Sequence, residues 1–196
     1  MGVINGKNSL ARKIPKIVKD IINNPPTPIN FAYQKNISYS QMSIFRGCQY
    51  RWKLQYKDKI KRFTSSIHTV FGTAVHEVMQ HYLDVMYEQS AAFADRDIDM
   101  EELFQEKYIA EYQKQYKANK NQHFSDAVEM REFFEDGVAI LEWFKKKRSR
   151  YFSKKGTYLV GCEIPIVVAP NKMLNNVLYM GYLDVVTYHE PTDTFK

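Results

Sequence analysis

An aspartate inside an apolar run is the sharpest chemical signal in this sequence. Asp184 lies within residues 178–186, a run apolar enough for a buried strand. Burying a lone carboxylate costs several kcal/mol unless another group compensates its charge. A divalent cation is one such group, and a buried arginine or backbone amides are others. Asp184 is therefore a candidate metal ligand, with a structural carboxylate as the alternative.

A histidine and a glutamate offer further ligand atoms. His76 belongs to a helical stretch that opens at Phe71, and it falls about 120° from the centre of the apolar stripe of that helix. It is expected at the edge of the core, either as a ligand facing a cleft or as an ordinary hydrogen-bonded histidine. His81 faces a different side of the helix, so a two-histidine zinc site is not expected. Glu163 stands inside a second predicted strand and either lines the same cleft as Asp184 or faces solvent.

Aromatic and basic residues alternate in the stretch before the histidine helix. Cations neutralise phosphates and aromatic rings stack on bases, so this stretch is the best candidate for contact with nucleic acid. A net charge of +6 agrees with a polyanionic partner, although a merely basic protein has the same charge. The candidate DNA-binding residues are Ser40, Arg46, Arg51, Trp52 and Lys53.

Helical patterns precede strand patterns along the chain, which predicts an α+β fold. Helical stretches are predicted at 14–22, 40–56, 71–88, 100–118 and 126–150. Ser38 or Ser40 is the expected cap of the second stretch, and prolines at 25–28 end the first. Strands are predicted at 158–168 and 177–188, and a turn leads into a third that starts at Phe195. The turn-rich segment between the two long strands predicts an antiparallel hairpin.

Composition and missing motifs exclude several classes of protein. A chain of 196 residues with 44% hydrophobic residues predicts one compact domain. Cys48 and Cys162 offer no disulfide framework, which fits a reducing cytoplasm. No run approaches the ~20 apolar residues of a membrane span, so no membrane partner is expected. The absence of a Gly-rich phosphate loop and of a Gly-x-Ser-x-Gly turn argues against ATPases, dehydrogenases and α/β-hydrolases.

Three segments in a fixed order resemble the RecB-like branch of the PD-(D/E)XK nucleases, of phage or bacterial type. Residues 38–53 resemble the opening helix of such domains, and Phe-Gly-Thr-Ala-Val-His-Glu at 71–77 resembles their histidine helix. Glu163 and the Gly-Tyr-Leu-Asp segment at 181–184 resemble their first two core strands. The similarity covers residues 37–196 and leaves 1–36 as a flexible lead-in with a short helix. It implies a restriction-endonuclease-like core with a mixed sheet.

The resemblance also implies a reaction and a cofactor. His76 and Asp184 would ligate Mg²⁺ or Mn²⁺, and Glu163 would take a weaker supporting place in the catalytic site. The implied activity is cleavage of phosphodiester bonds in DNA, as an exonuclease of recombination, repair or processing in a bacterial or phage-infected cytoplasm. A recombination or helicase protein is a candidate partner. The alternatives are a catalytically inactive DNA-binding domain of the same fold and a helical adaptor without a nucleic-acid role.

The chain departs from the family pattern in two respects. The acidic-x-Lys strand is missing because the chain ends before it. Asp193 cannot substitute, since Phe195 rather than lysine follows it two residues later. The chain is therefore expected to be truncated within its core sheet, and to be inactive until further sequence or a partner supplies the rest. Some relatives bind an iron–sulfur cluster through one early and three late cysteines. Cys48 matches the early position, but the late trio is missing, so no cluster is expected.

Overall fold

A computed structural model describes residues 14–24, 35–60, 65–168 and 177–196. Its helices are α1 (Lys16–Asn23), α2 (Tyr39–Gly47), α3 (Gln49–Trp52), α4 (Ile67–Glu88), α5 (Ala91–Asp97), α6 (Met100–Ala118) and α7 (Ala127–Tyr151). Its strands are β1 (Lys35–Ser38), β2 (Thr157–Val168), β3 (Val177–His189) and β4 (Thr194–Phe195). The helices together with a mixed four-stranded sheet confirm the predicted α+β fold. None of the helices among the described residues is long and apolar enough to cross a membrane.

The sheet is built around β3. Strand β2 pairs with β3 in antiparallel fashion, which confirms the predicted hairpin, while its predicted turn at 169–176 lies outside the described residues. Strand β1 pairs with β3 in parallel, with Ser38 opposite Met180, and β4 pairs with its far end, with Thr194 opposite His189. Because β2 occupies one edge of β3, β1 and β4 share the other edge.

The main core lies between α4, α6 and α7 and is rich in aromatic rings. Phe104 is fully buried and packs against Phe71, Tyr108 and Phe134. Helix α4 begins at Ile67, four residues before the predicted start, because Ile67 is itself buried in this core. The predicted apolar stripe of α4 therefore packs inward as the 3.6-residue period requires.

A smaller core lies between the sheet and α1. Val18 of this short helix is fully buried against Val160, Val186 and Tyr188. The amphipathic helix predicted at 14–22 is therefore confirmed within one or two residues at either end. The predicted proline break at 25–28 lies outside the described residues.

The prediction of one helical stretch at 40–56 was wrong in its continuity. Helix α2 ends at Gly47, the backbone of Cys48 is extended, and α3 begins at Gln49 before a π-helical turn at Lys53–Lys57. The Cys48 sulfur accepts a hydrogen bond from the Arg51 amide at 3.4 Å and so caps the new helix. The expected cap of α2 is confirmed at Ser38, which accepts from the backbone amide of Gln41 at 3.2 Å.

Asp95 of α5 joins three helices. Its carboxylate accepts a hydrogen bond from the Tyr82 hydroxyl of α4 at 2.7 Å, and it forms ion pairs with Arg148 and Lys145 of α7. Tyr82 is fully buried, and that burial, together with the bond to Asp95, raises the pKa of its hydroxyl. A buried hydroxyl needs such an acceptor, so Asp95 is expected to stabilise the packing of α4 against α7.

We expect Asp95→Ala to lower the free energy of unfolding by about 1–3 kcal/mol, because the buried Tyr82 hydroxyl loses its acceptor. Chemical denaturation followed by circular dichroism measures this change. Asp97→Ala, on the same helix, removes a carboxylate that pairs with the exposed Arg96 and should cost less than about 0.5 kcal/mol. Equal effects of the two substitutions would show that the Asp95 contacts do not stabilise the protein.

Candidate metal centre

An open pocket of about 600 Å³ lies between α4 and the β2–β3 hairpin. Helix α4 contributes residues at 73, 76, 77 and 80, which share one face of the helix because they are spaced by three and four positions. The two strands contribute one acidic residue each. The lining residues are Gly72, Thr73, His76, Glu77, Gln80, Glu163 and Asp184.

His76 lies between the two carboxylates. Its Nδ1 atom is 3.4 Å from Oε1 of Glu163, and its Nε2 atom is 3.5 Å from Oδ1 of Asp184. One ligand atom from each of the three residues lies within 4.8 Å of the other two. Carboxylate oxygens suit Mg²⁺ and Mn²⁺, and imidazole suits many divalent transition metals. The donor set therefore fits a single divalent cation, and the structure brings together all three residues expected from the sequence.

The strand register explains how the two acids meet. Cys162 pairs with Val185 and Ile164 pairs with Leu183, so Glu163 and Asp184 stand opposite one another between these pairs. The backbone of Glu163 has a φ of 53°, in the left-handed region. A non-glycine residue in that region costs of order 1–3 kcal/mol, and such strain concentrates at functional sites.

Asp184 is not buried, contrary to the expectation from its apolar run. Its side chain is 79% exposed, and Tyr182 and Leu183 before it are exposed as well. The two cores cover β3 at Val185–Tyr188 and leave the centre of the strand open. The case for a cation therefore rests on two carboxylates beside one imidazole, not on the cost of burying a lone charge. His76, 38% exposed, lies at the edge of the core as predicted.

Gln80 is a site residue that the sequence reasoning missed. It lies one turn after His76 on α4, and its Nε2 atom donates to Oε1 of Glu163 at 3.3 Å. The same nitrogen lies 3.4 Å from Nε2 of His76. The only available signal in the sequence was its spacing of four residues from the candidate histidine.

Cys162 precedes Glu163 on β2 but is not one of the three candidate ligands. Burial, with smaller contributions from the Asp84 and Glu163 carboxylates, raises the pKa of its thiol to about 11. Its sulfur lies 4.0 Å from the Asp84 carboxylate. Cys162 is not among the residues that line the pocket, so the site offers oxygen and nitrogen ligands.

The candidate DNA-binding residues lie on α2, α3 and the turn that follows. Ser40, Arg46 and Arg51 are exposed. Lys53 is held by Asp58 at 2.6 Å, an ion pair that raises the pKa of its ammonium group. None of the five candidate DNA-binding residues is among the described residues that line the pocket.

Trp52, also expected to bind DNA, is engaged within the protein. Its ring meets Phe45 edge-on at 5.5 Å between centroids and stacks on Tyr56 at 6.3 Å. A half-buried ring in this position stabilises the turn between α2 and the π-helical segment. Tyr50, 68% exposed on α3, offers a freer ring on the same segment.

Comparison with known proteins supports the interpretation of the pocket. A search of curated proteins found no match to the chain. A family model described as the PD-(D/E)XK nuclease superfamily matches residues 36–167, about two thirds of the chain. The matched region runs from β1 to the end of β2 and includes His76 and Glu163. Nucleases of this superfamily generally use divalent metals, in agreement with the donor set of the pocket. A match of this extent shows that the chain belongs to the PD-(D/E)XK nuclease superfamily.

Proposed function

We propose that this protein is a RecB-like, metal-dependent DNA nuclease, acting as an exonuclease in DNA recombination, repair or processing. The observation that carries the proposal is the position of His76, within 3.5 Å of two carboxylates that stand opposite one another on paired strands. Membership of the superfamily gives the reaction class, and these residues give a site for it.

His76 and Asp184 would hold the cation, with Glu163 supporting it from the neighbouring strand. A divalent cation held there would lower the pKa of a bound water and stabilise the charge that develops on the scissile phosphate. The two carboxylates carry two negative charges, which attract a dication and repel a phosphate. The site itself therefore admits the DNA backbone only once its charge is neutralised.

The rim of the pocket leaves room for a DNA backbone. Gly72 lines the pocket, and a side chain added there would find nothing within 4 Å. The helix backbone is thus exposed one turn before His76. A low rim on α4 is consistent with a large, extended substrate rather than a small molecule enclosed by protein.

The position of helix α2 supports a contact with DNA that enters this pocket. Strand β1 runs parallel to β3 and ends with Ser38 opposite Met180, four residues before Asp184. At the rise of an extended strand this separation is about 13 Å, so α2 starts a few nucleotides from the candidate centre. Exposed Arg46 and Arg51 on this segment would neutralise backbone phosphates.

The acidic-x-Lys motif of the family would complete such a site. Lys196 and Thr187 exchange two backbone hydrogen bonds of 2.9 Å, so β4 is directed back along β3 toward Asp184. We infer that the acidic-x-Lys motif of the family acts from this edge of β3. The free thiols Cys48 and Cys162 agree with work in a reducing cytoplasm.

A test of strand-end dependence distinguishes the candidate functions. The protein, expressed from its complete reading frame, is incubated with Mg²⁺ or Mn²⁺ and with either linear duplex DNA or a covalently closed circle. We expect the linear DNA to be degraded to short products, the circle to survive, and EDTA to stop the reaction. Equal cutting of the circle would indicate an endonuclease. Salt-dependent binding without any cutting would favour the inactive DNA-binding domain.

A further inference from the structure

We propose that the exposed end of α7 is a binding surface for single-stranded nucleic acid, separate from the metal centre. The surface consists of Trp143, Lys147, Arg150 and Tyr151, which we call the α7 stripe. It goes beyond the proposed function and rests on it in one respect, because a DNA substrate supplies the strand that would bind there.

The four residues of the α7 stripe share one face of the helix. Lys147, Arg150 and Tyr151 follow Trp143 by four, seven and eight residues, the spacings that bring side chains to the same face. The rings of Trp143 and Tyr151 lie 6.3 Å apart between centroids, in agreement with this placement. Phe144 of the same turn is buried in the main core. The stripe therefore faces solvent.

Two large rings on a solvent-facing stripe call for a function. Trp143 is 53% exposed and Tyr151 is 52% exposed, so each ring forgoes about half of the burial that makes aromatic residues stabilising in a core. Single exposed apolar residues are normal, but a contiguous exposed pair marks a candidate interaction surface. Exposed rings beside cations are typical of surfaces on which the bases of a single strand stack.

The segment around the stripe holds the strongest concentration of positive charge in the chain. Residues 143–162 contain seven lysines and arginines and no acidic residue. Because the whole chain has a net charge of +6, the remainder is close to neutral. The helix macrodipole favours cations in a last turn, but it does not account for the two rings beside them.

The two cations of the stripe are available to an external partner. Three neighbouring cations are already paired with acidic residues, namely Lys145, Lys146 and Arg148. Lys147 and Arg150 are exposed, and neither forms an ion pair within the described part of the chain. The Arg150 guanidinium lies 5.7 Å from the centre of the Tyr151 ring, so a cation for a phosphate stands next to a ring for a base.

The rings favour a single strand over a duplex. Bases in a duplex are paired and stacked on one another, so an exposed ring can stack only on an unpaired base. The end of α7 meets α4 where the Tyr87 hydroxyl donates to the Phe152 carbonyl at 2.6 Å. Tyr87 follows His76 by eleven residues, about 16 Å along the helix axis. A strand that reaches from the stripe to the centre would therefore span several nucleotides.

The buried side of α7 argues against a membrane as the partner. Basic helices that lie on a membrane insert a broad apolar face into it. The apolar face of α7, with Leu141 and Phe144, is already buried in the main core. Two rings flanked by cations remain, which match the alternating bases and phosphates of a nucleic-acid strand.

Binding of a labelled oligothymidylate of about 20 nucleotides tests the rings. It is measured in EDTA, so that neither metal binding nor cleavage affects the result. We expect Trp143→Ala to weaken binding by about 5- to 150-fold, the usual cost of losing one stacked ring. Trp143→Phe keeps a ring and should retain most of the affinity.

Salt dependence tests the cations. The double variant Lys147→Ala with Arg150→Ala should reduce the slope of log affinity against log salt by about 1.4, since each phosphate contact to a single strand contributes about 0.7. Lys117→Ala with Lys120→Ala removes the same charge from the exposed end of α6 and is the matched control, with no expected change of slope. Circular dichroism checks the fold of each variant.

Unchanged binding in both the Trp143→Ala variant and the double variant would overturn the proposal. So would tighter binding of a blunt duplex than of the single strand, or binding of the parent protein to phosphatidylserine vesicles without binding to the oligonucleotide. Failure of the proposed nuclease function is distinguishable. The protein would then cut no DNA in Mn²⁺, while the binding measured in EDTA still decides the role of the α7 stripe.

Discussion

Asp184→Asn is expected to abolish tight Mn²⁺ binding and to slow DNA cleavage by about 10³-fold or more. Asparagine keeps the shape of the side chain but removes one of the two negative charges beside His76. A bound cation stabilises the transition state of phosphodiester cleavage by several kcal/mol, and about 4 kcal/mol corresponds to a factor of about 10³ in rate. Nuclease assays on the complete protein and Mn²⁺ titrations measure the two effects.

The same substitution should leave the protein as stable as before, or more stable, when no divalent metal is added. Glu163 and Asp184 stand opposite one another, and like charges across a strand pair are destabilising. Removing one of them relieves that repulsion. A ligand that binds only the folded state raises the melting temperature, so Mn²⁺ should stabilise the parent protein and have no such effect on the variant.

His76→Ala is expected to lose Mn²⁺ binding and DNA cleavage as Asp184→Asn does. His81→Ala is its matched control. His81 is exposed on the same helix, five residues along, and faces away from the pocket. Loss of activity in His76→Ala with retention in His81→Ala would assign the effect to the centre rather than to helix α4 as a whole. Full cleavage by either Asp184→Asn or His76→Ala would disprove the proposed metal ligation.

Local periodicity was enough to predict the long elements of the fold. Helix α4 carries eight buried residues at helical spacing, and β2 and β3 are rich in β-branched residues flanking a turn-rich segment. Two short elements were missed for a different reason. Strand β1 has four residues and depends on pairing with a partner some 140 residues later, and α5 has seven residues capped by Ser90. Neither is long enough to show a period of its own.

Residue types and their order predicted which residues form the candidate site. They did not predict the environment of those residues. An apolar run indicates that a strand is buried somewhere and cannot say which residues its neighbours cover, so the expected burial of Asp184 was wrong. The contact of His76 with Glu163 depends on how α4 packs over β2, a tertiary relation that no local pattern encodes. Gln80 carries no charge and belongs to no motif, so its place between these two side chains emerges only from the geometry.

Phe104→Ala is expected to destabilise the protein by about 3–5 kcal/mol, the largest effect on stability that we predict. The ring is fully buried, and it packs edge-on against Phe71 and stacks on Phe134 at 5.4 Å. It also lies directly over Gly137 of α7, where an added side chain would overlap the ring. Glycine at this position of a helix is therefore explained by the approach of α6 rather than by any turn.

The contact between Phe104 and Gly137 predicts that the effect of Gly137→Ala on stability changes sign when the ring is removed. Ordinary core substitutions do not show such a reversal. In the parent protein Gly137→Ala should cost about 1–3 kcal/mol, because the new methyl group displaces the ring. In the Phe104→Ala background the overlap is gone, and the higher helix propensity of alanine should make the same change stabilising by about 0.5–1 kcal/mol. Chemical denaturation of the parent protein, the two single variants and the double variant gives the coupling energy directly.

Gly72→Ala provides the control for this cycle, since Gly72 is helical and an added side chain would meet nothing within 4 Å. It should stabilise both backgrounds by the same amount, and so report helix propensity without packing. Additivity between Gly137→Ala and Phe104→Ala would mean that the ring does not lie over Gly137. Helices α6 and α7 would then pack differently, and the packing of α4 against both of them, which sets His76 against the sheet, would have to be revised.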